Sequence, residues 1–381
     1  MSAFTDEPIA STSTAPPPSK KLRKNSGASK PSASTPPLGK FLASSEKDVR
    51  DKAVASLSRF LSAGRISSVK PTDGGDEPKE ELPVGDLDWD KEWTVDSRLA
   101  PLEMAKLWKG IFYCFWMSDK PLVQQALAQA LADLTLDVRP KSKTNNGRVE
   151  RFRAAMCYLR GFWEAVVREW GGLDRLRLDK FYMLIRRFVH VALKLLQREE
   201  WDERAIAEYS ELLTGPGGPL HVTDSKIPHS LAYHLADIFL DELERLCTAT
   251  VSSESDTPSR TVPLNLLLTP FYTTLAAAPS LTLFTRFTDN VFSPLLDAAL
   301  PPKPEPKAKR RKGASAPSRP EYPGIMQLAL EGQGAEKGQE GEEIGKKVLK
   351  RLFVEGGKAE TGDVNRRRIY QIVADRDVDL D

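Results

Sequence analysis

The sequence predicts an all-α fold, a HEAT- or armadillo-like α-solenoid of antiparallel helix pairs. Three observations predict it. Apolar residues recur at three- and four-residue spacing over most of residues 41–300. Short loops separate the periodic stretches, which favours antiparallel neighbours. Several stretches are apolar around more than half their circumference, so each needs packing on two sides. No repeat signature fixes a period.

Residues 1–40 are mostly Ser, Thr, Pro, Ala and Lys. They carry too little apolar surface to offset chain entropy, so a disordered basic tail is expected. A helical repeat domain is expected over 41–300. Val49, Ala53, Leu57, Phe60 and Leu61 share one face of a helix ending near Gly64. Residues 71–92 hold nine acidic residues, two lysines and three prolines and read as an exposed acidic loop. Trp89 and Trp93 at its end are expected to dock on something. Met104, Leu107, Trp108, Ile111, Phe112, Phe115 and Trp116 crowd the next helix and are expected in the core.

Ser118 is placed to cap the following helix, and Pro121 suits its first turn. Leu122, Val123, Ala126, Leu127, Ala130, Leu131 and Leu134 continue the 3.6 period. After a loop at Lys141–Gly147, a helix carries Phe152, Ala155, Met156, Leu159, Trp163, Val166, Val167 and Trp170 and stops at Gly171 and Gly172. A long helix follows with Phe181, Leu184, Ile185, Phe188, Val189, Ala192, Leu195 and Leu196. Asp202 caps a shorter one with Ile206, Tyr209, Leu212 and Leu213, broken by Gly215–Gly218.

Pro228 opens a helix with Leu231, Leu235, Ile238, Phe239, Leu243 and Leu246, and two more helices are expected in 263–278 and 280–297. Leu281, Leu283, Phe284 and Phe287 also have partial period-two character, so a strand stays open as a second reading there. Residues 301–323 read as a Pro/Lys-rich basic linker and 324–381 as a C-terminal segment with short docking helices. One of these carries Ile344, Val348, Leu349, Leu352 and Phe353, the other Val364, Ile369, Ile372 and Val373. Helices this short are marginal alone and need a surface to dock on.

The chain has 381 residues with 55 basic and 53 acidic side chains, a formal charge of +2. That balance excludes a histone-like polycation but hides a segregation. Residues 1–40 carry +4 and residues 301–320 carry +6, so the remainder, which includes the foldable part, carries −8. An acidic body repels a phosphate backbone in bulk. Cys114, Cys157 and Cys247 form no C-x-x-C spacing, which argues against a zinc site or disulfide framework and fits a reducing compartment. The N-terminal residues lack the pattern of a secretory signal. Thr261–Thr285 has no charged residue over 25 positions, but Pro263, Pro270 and Pro279 divide it and six threonines dilute it. Buried helices of a soluble core are expected there, not a membrane span.

No catalytic motif emerges. His190, His221, His229 and His234 form no metal-binding spacing. Glu199, Glu200, Trp201, Asp202 and Glu203 resemble an acid/base cluster but read better as a helix start. The Gly215–Gly218 turn follows a helix, and its prolines remove N–H donors that a phosphate cradle needs. No metal or cofactor is expected. Arg175, Arg177 and Lys180 sit at a charged corner between two helices, where they either pair with Asp174 and Asp179 or contact a partner. Two basic runs stand out: Lys20, Lys21, Arg23 and Lys24, and Lys307, Lys309, Arg310, Arg311 and Lys312. Such runs serve nuclear import, RNA contact or solubility.

The stretches LWKGIFYCFWMSDKPLVQQALAQAL (Leu107–Leu131) and FWEAVVREWGGLDRLRLDKFYMLIRRF (Phe162–Phe188), with IPHSLAYHLADIFLDEL further on, resemble blocks of the eukaryotic ribosomal RNA-processing protein 1 family, the nucleolar Nop52 type. The resemblance runs from about Phe41 to about Leu300. It implies an all-helical repeat protein of the nucleus and nucleolus, a non-catalytic factor in large-subunit (pre-60S) precursor rRNA processing and assembly. Implied partners are a Brix-domain factor, its zinc-binding partner and a WD-repeat factor, with precursor rRNA a further contact for the basic segments. No membrane or small-molecule substrate is implied. The family tail is usually long and basic, whereas this chain ends soon after one basic linker. Two other readings remain: direct RNA binding by the repeats, and an RNA-processing enzyme. An enzyme would need clustered carboxylates or a histidine acid/base pair, and neither is evident.

Neutralising both basic runs together is expected to move the protein from the nucleolus to the cytoplasm, while either run alone has little effect. Fluorescence imaging of tagged variants checks this, and unchanged nucleolar signal after the nine-residue neutralisation would refute it.

Overall fold

Apolar periodicity becomes helix wherever the chain is described. The computed structural model describes residues 41–62, 101–140, 147–252, 261–300, 321–329, 340–376 and Val378, Ala43 and Ser45 excepted. The expected tail at 1–40, the acidic loop at 71–92 with Trp89 and Trp93, and residues 301–320 lie outside the described residues, and both basic runs lie there too. Helix α1 spans Lys47–Ser62, α2 Pro101–Trp116, α3 Pro121–Asp137, and α4 Arg148–Glu169 with a 3-10 turn at Trp170–Gly172. Next come α5 (Arg175–Arg198), α6 (Glu203–Thr214), α7 (His229–Val251), α8 (Leu264–Leu267) and α9 (Thr269–Ala276). Helix α10 (Leu281–Phe287) passes through a π-helical turn at Thr288–Phe292 into α11 (Ser293–Ala299). The last three are α12 (Pro323–Leu328), α13 (Glu340–Gly357) and α14 (Asp363–Ala374). No strand occurs among the described residues.

Alternate helices stack. Helix α1 packs on α3, α3 on α5, α5 on α7, and α7 on α10 and α12, which makes one layer. Helix α2 packs on α4, α4 on α6, α6 on α8 and α9, and α9 on α13 and α14, which makes the other. Successive helices from α2 to α5 join the layers. Stacked helix hairpins of this kind are an α-solenoid. The C-terminal helices belong to the stack, since α12 lies on α7 and α13 on α9 and α11.

An aromatic cluster ties the first repeats together. The Trp108 ring from α2 lies 4.7 Å from Tyr158 and 5.5 Å from Phe162 on α4, and 5.6 Å from Phe188 on α5. Phe162 and Phe188 stack at 3.8 Å with planes 7° apart. The Tyr158 hydroxyl donates to the Leu131 carbonyl at 3.1 Å, which adds α3. All four rings are buried. Gly161 makes this approach possible, because a Cβ there would sit 2.3 Å from Trp108 Cδ1 and 2.9 Å from Met104 Cγ.

Arginine–carboxylate pairs span adjacent elements along the stack. Arg148 (α4) donates to Glu199 at 2.8 Å, and Arg198 donates to its other oxygen at 2.9 Å. Arg153 (α4) pairs with Glu208 (α6) at 3.4 Å. Arg186 (α5) donates to Glu242 (α7), and His190 Nδ1 lies 3.0 Å from that carboxylate. Arg286 (α10) pairs with Asp237 (α7) at 2.6 Å. Burial pushes the Glu242 carboxyl up, but the adjoining His190 and Arg186 outweigh it, and its pKa lies below the ordinary 4.5. Glu200 and Trp201, at φ 58° and 59°, turn the chain through the left-handed region between α5 and α6. Trp201 is buried there, and Asp202 accepts from Arg204 and Ala205 backbone N–H to cap α6.

Several expectations need correction. Ser118 does not cap α3: Lys120 occupies the N-cap position without a side-chain bond, and the Ser118 hydroxyl donates to Cys114 O at 3.1 Å. Leu122, Ala126 and Ala130 face solvent although they fit the apolar period, because α3 buries Ala128, Leu131, Ala132, Leu134 and Thr135. Phe60, Phe353 and Val364 are exposed for the same reason, each lying off its helix's packed stripe. Trp116 is only half-buried. Residues Leu281–Phe287 are helix, not strand, since Ser280 caps them by accepting from Leu283 N–H at 3.3 Å.

Two outcomes are expected. Helix propensity alone favours Gly161→Ala by about 1 kcal/mol. The contact with Trp108 should instead make it destabilising by roughly 1–3 kcal/mol, read as a lowered denaturation midpoint. Glu242 contributes stability at neutral pH because its folded pKa lies below its unfolded one. That contribution should fade as pH falls below about 4.5 in the parent chain and be missing in Glu242→Gln, as paired acid-denaturation curves would show.

Candidate interaction surface

The turn between α2 and α3 and the turn between α4 and α5 meet at one edge of the stack. A single ammonium joins them: Lys180 Nζ donates to the carbonyls of Trp116 at 2.5 Å and Ser118 at 2.8 Å. They lie at and just past the C-terminus of α2, where a cation is favoured, and the Ser118 carbonyl also accepts from Gln124 at 2.8 Å. Burial lowers the Lys180 pKa from its ordinary value, although the Asp119 carboxylate opposes it. Asp174 caps α5 by accepting from Arg177 N–H at 3.1 Å and also holds the Arg177 guanidinium. Partial desolvation acts upward on Asp174, but these bonds win and its carboxyl lies below the usual range. The Arg177 guanidinium lies 3.9 Å over the Trp116 ring, so that tryptophan is covered by a cation.

The three corner cations therefore divide. Lys180 is buried and Arg177 is engaged, while Arg175 is exposed. Beside Arg175, Leu176 is 92% exposed, and Leu122 at the corresponding second position of α3 is 79% exposed. Leu122 begins a face on which Gln125, Ala126 and Ala130 are exposed, and no charged residue occurs from Pro121 to Ala132. An apolar, uncharged helix face on a charged protein is an interaction signal. Sequence reasoning missed Leu122 because a leucine in an apolar period reads as core, and Leu176 because the charged residues of the corner on either side of it drew the reading. The absence of charge along α3 was the available clue.

Reactive chemistry is poorly supported elsewhere. Burial pushes Cys114 and Cys157 up to about 11 and Cys247 to about 12, so their thiols stay protonated at neutral pH. His234 accepts burial at the cost of basicity, its pKa lowered, with Nε2 3.0 Å from Tyr182 O. Glu199 belongs to the ion-pair network and Asp202 to the α6 cap. Among the described residues, no group of His, Cys, Asp and Glu has metal-binding geometry, and no helix is long and apolar enough to cross a membrane.

The described chain is thus a helical-repeat protein of the α-solenoid class with an edge that bears exposed leucines. It belongs to the Nop52 family of nucleolar proteins, whose sequence model matches residues 33–371. The ribosomal RNA processing protein 1 homolog A of Mus musculus is 33% identical over 219 residues, 58% of this chain and 36% of the mouse protein. The homolog B of Homo sapiens is 33% identical over 205 residues, covering 54% of this chain and 22% of its own length. The human homolog A is 28% identical over 365 residues, 88% of this chain and 68% of that protein. The chain thus spans only about a third or less of the first two relatives.

The division of the corner cations has an energetic consequence. Lys180→Met takes the side-chain donor from the Trp116 carbonyl and one of two from the Ser118 carbonyl, which keeps Gln124, and should cost about 1.5–3 kcal/mol. Arg175→Ala should fall within about 0.5 kcal/mol of the parent. Equal chemical-denaturation midpoints for the two variants would contradict this division.

Proposed function

We propose that this chain is a non-catalytic ribosome biogenesis factor of the nucleolus, a helical scaffold on which other assembly factors dock during processing of large-subunit precursor rRNA. The observation that carries the reading is the edge bearing exposed Leu122 and Leu176 beside the uncharged outer face of α3. A rigid edge of this kind presents apolar anchors without an ordering cost, which is what a docking protein needs. The names of the relatives, which refer to ribosomal RNA processing, and the family's description as nucleolar support the process and the compartment. The Brix-domain factor, its zinc-binding partner and the WD-repeat factor implied by the sequence resemblance are the partners to test. Arg175, exposed beside Leu176, gives the edge its charge preference.

The test is affinity purification of large-subunit precursors through a tagged Leu122→Asp, Leu176→Asp variant. Both side chains are exposed, so the variant should fold with a melting temperature close to the parent's and lose most co-purifying assembly factors. Full recovery of precursors by a folded variant would refute the docking role of this edge.

A further inference from the structure

The two C-terminal helices form a hairpin whose outer face combines exposed aromatic and cationic side chains. Phe353 on α13 is 52% exposed, and its ring lies 5.1 Å from that of half-buried Tyr370 on α14, with planes 30° apart. Tyr370 is held in place from below. A Cβ at Gly356 would come within 2.9 Å of its Cε1, so the ring rests directly on the last turn of α13. Lys350 precedes Phe353 by three residues and Arg367 precedes Tyr370 by three, so each cation shares its aromatic's helix face. Both cations are exposed.

The neighbouring charges are already committed. Glu355 is paired with Lys358 at 2.7 Å and faces Arg351 at 3.7 Å. Arg366 donates to the carbonyls of Gly356, Lys358 and Thr361 at the end of α13 and pairs with Asp363 at 3.0 Å. Asn365 fixes the hairpin to the stack by donating to Ala276 O at 3.0 Å and Ala278 O at 2.9 Å. Glu360, in the connecting loop, is an exposed acidic side chain near the patch. Lys350 and Arg367 therefore supply the outward positive charge beside the rings.

We infer that this face binds single-stranded RNA, with bases stacking on Phe353 and Tyr370 and phosphates meeting Lys350 and Arg367. An apolar helix docking here would bury two cations next to its contact, an unfavourable desolvation. A single strand instead presents a base and a phosphate at every nucleotide, which matches rings and cations alternating across two helices. The inference goes beyond the scaffold reading and does not rest on it, since it concerns the opposite end of the chain from Leu122 and Leu176.

The experiment uses the full chain with both basic runs changed to Gln, so that their phosphate contacts do not mask the hairpin's. Binding of a fluorescein-labelled oligouridylate of about ten nucleotides is followed by anisotropy over a salt series. Phe353→Ala should weaken binding roughly 5- to 150-fold, and Phe353→Trp should restore it. Lys350→Gln and Arg367→Gln should each lower the log–log salt slope by about 0.7. All four changes are at exposed positions, and thermal melting confirms folding. The inference is overturned if the parental background fails to bind the oligonucleotide, or if folded Phe353→Ala binds as its parent does. It is equally overturned if Phe353→Ala spares RNA binding but loses a co-purifying protein, which would assign the face to protein docking.

Discussion

The stack depends on the closeness of α2 and α4. Gly161 lets the Trp108 indole press against the α4 backbone, and from there the ring reaches Tyr158, Phe162 and, on the next helix, Phe188. One side chain thereby ties its own helix to two others across both layers. Burying aromatic surface of this extent is worth several kcal/mol per ring, and replacing such a residue by Ala typically costs about 3–5 kcal/mol. The same approach sets the level of the corners. With α2 and α4 in register, the turn after α2 and the turn before α5 reach one edge, where Lys180 can span them. The exposed leucines and Arg175 are where they are because that edge is fixed.

Charge is handled differently in the body and in the segments around it. Within the stack, arginines are spent on carboxylates across successive elements, and Glu199 and Glu242 are almost wholly buried in those pairs. Buried pairs of this kind contribute less to net stability than to register, because desolvation offsets most of the attraction. The basic runs are left with positive charge that no carboxylate run in their own sequence balances. Apart from the two basic segments and the acidic stretch 71–92 the chain carries only −1, so bulk attraction does not bring a nucleic acid to the body. Any contact there must be local, made by cations that no neighbour has claimed.

Helix positions were legible because the periods were long and cleanly punctuated. Phe152 to Val166 and Phe181 to Leu196 are helical with the expected residues inside, and Asp202 caps as its position suggested. Orientation was less legible. A solenoid helix is touched on two sides, so its apolar residues spread around the circumference and no longer mark a single stripe. Helix α3 shows the result: Leu131 and Leu134 are buried, yet Leu122, Ala126 and Ala130, equally apolar, face water. The corner cations were visible as a group, whereas their separation into buried Lys180, stacked Arg177 and exposed Arg175 depends on where Trp116 and Ser118 end their helix. Ser280 resolved the ambiguous stretch at 281–287, because a cap selects helix where periodicity alone permits two readings.

The hairpin of α13 and α14 divides its apolar residues between an inner and an outer face. Ile344, Val348, Leu349, Leu352 and Ile369 turn inward, while Phe353, Val354 and Val364 remain outside. Ordinary apolar packing does not hold that outer face, so polar contacts do: Asn365 on two carbonyls of the preceding repeat, Arg366 on the end of α13, and Arg376 on Asp297. These bonds fix the backbone beneath the exposed rings without covering them. A surface fixed in this way loses little conformational freedom when it binds, so exposed aromatics here act with less entropic cost than the same residues on a loop would.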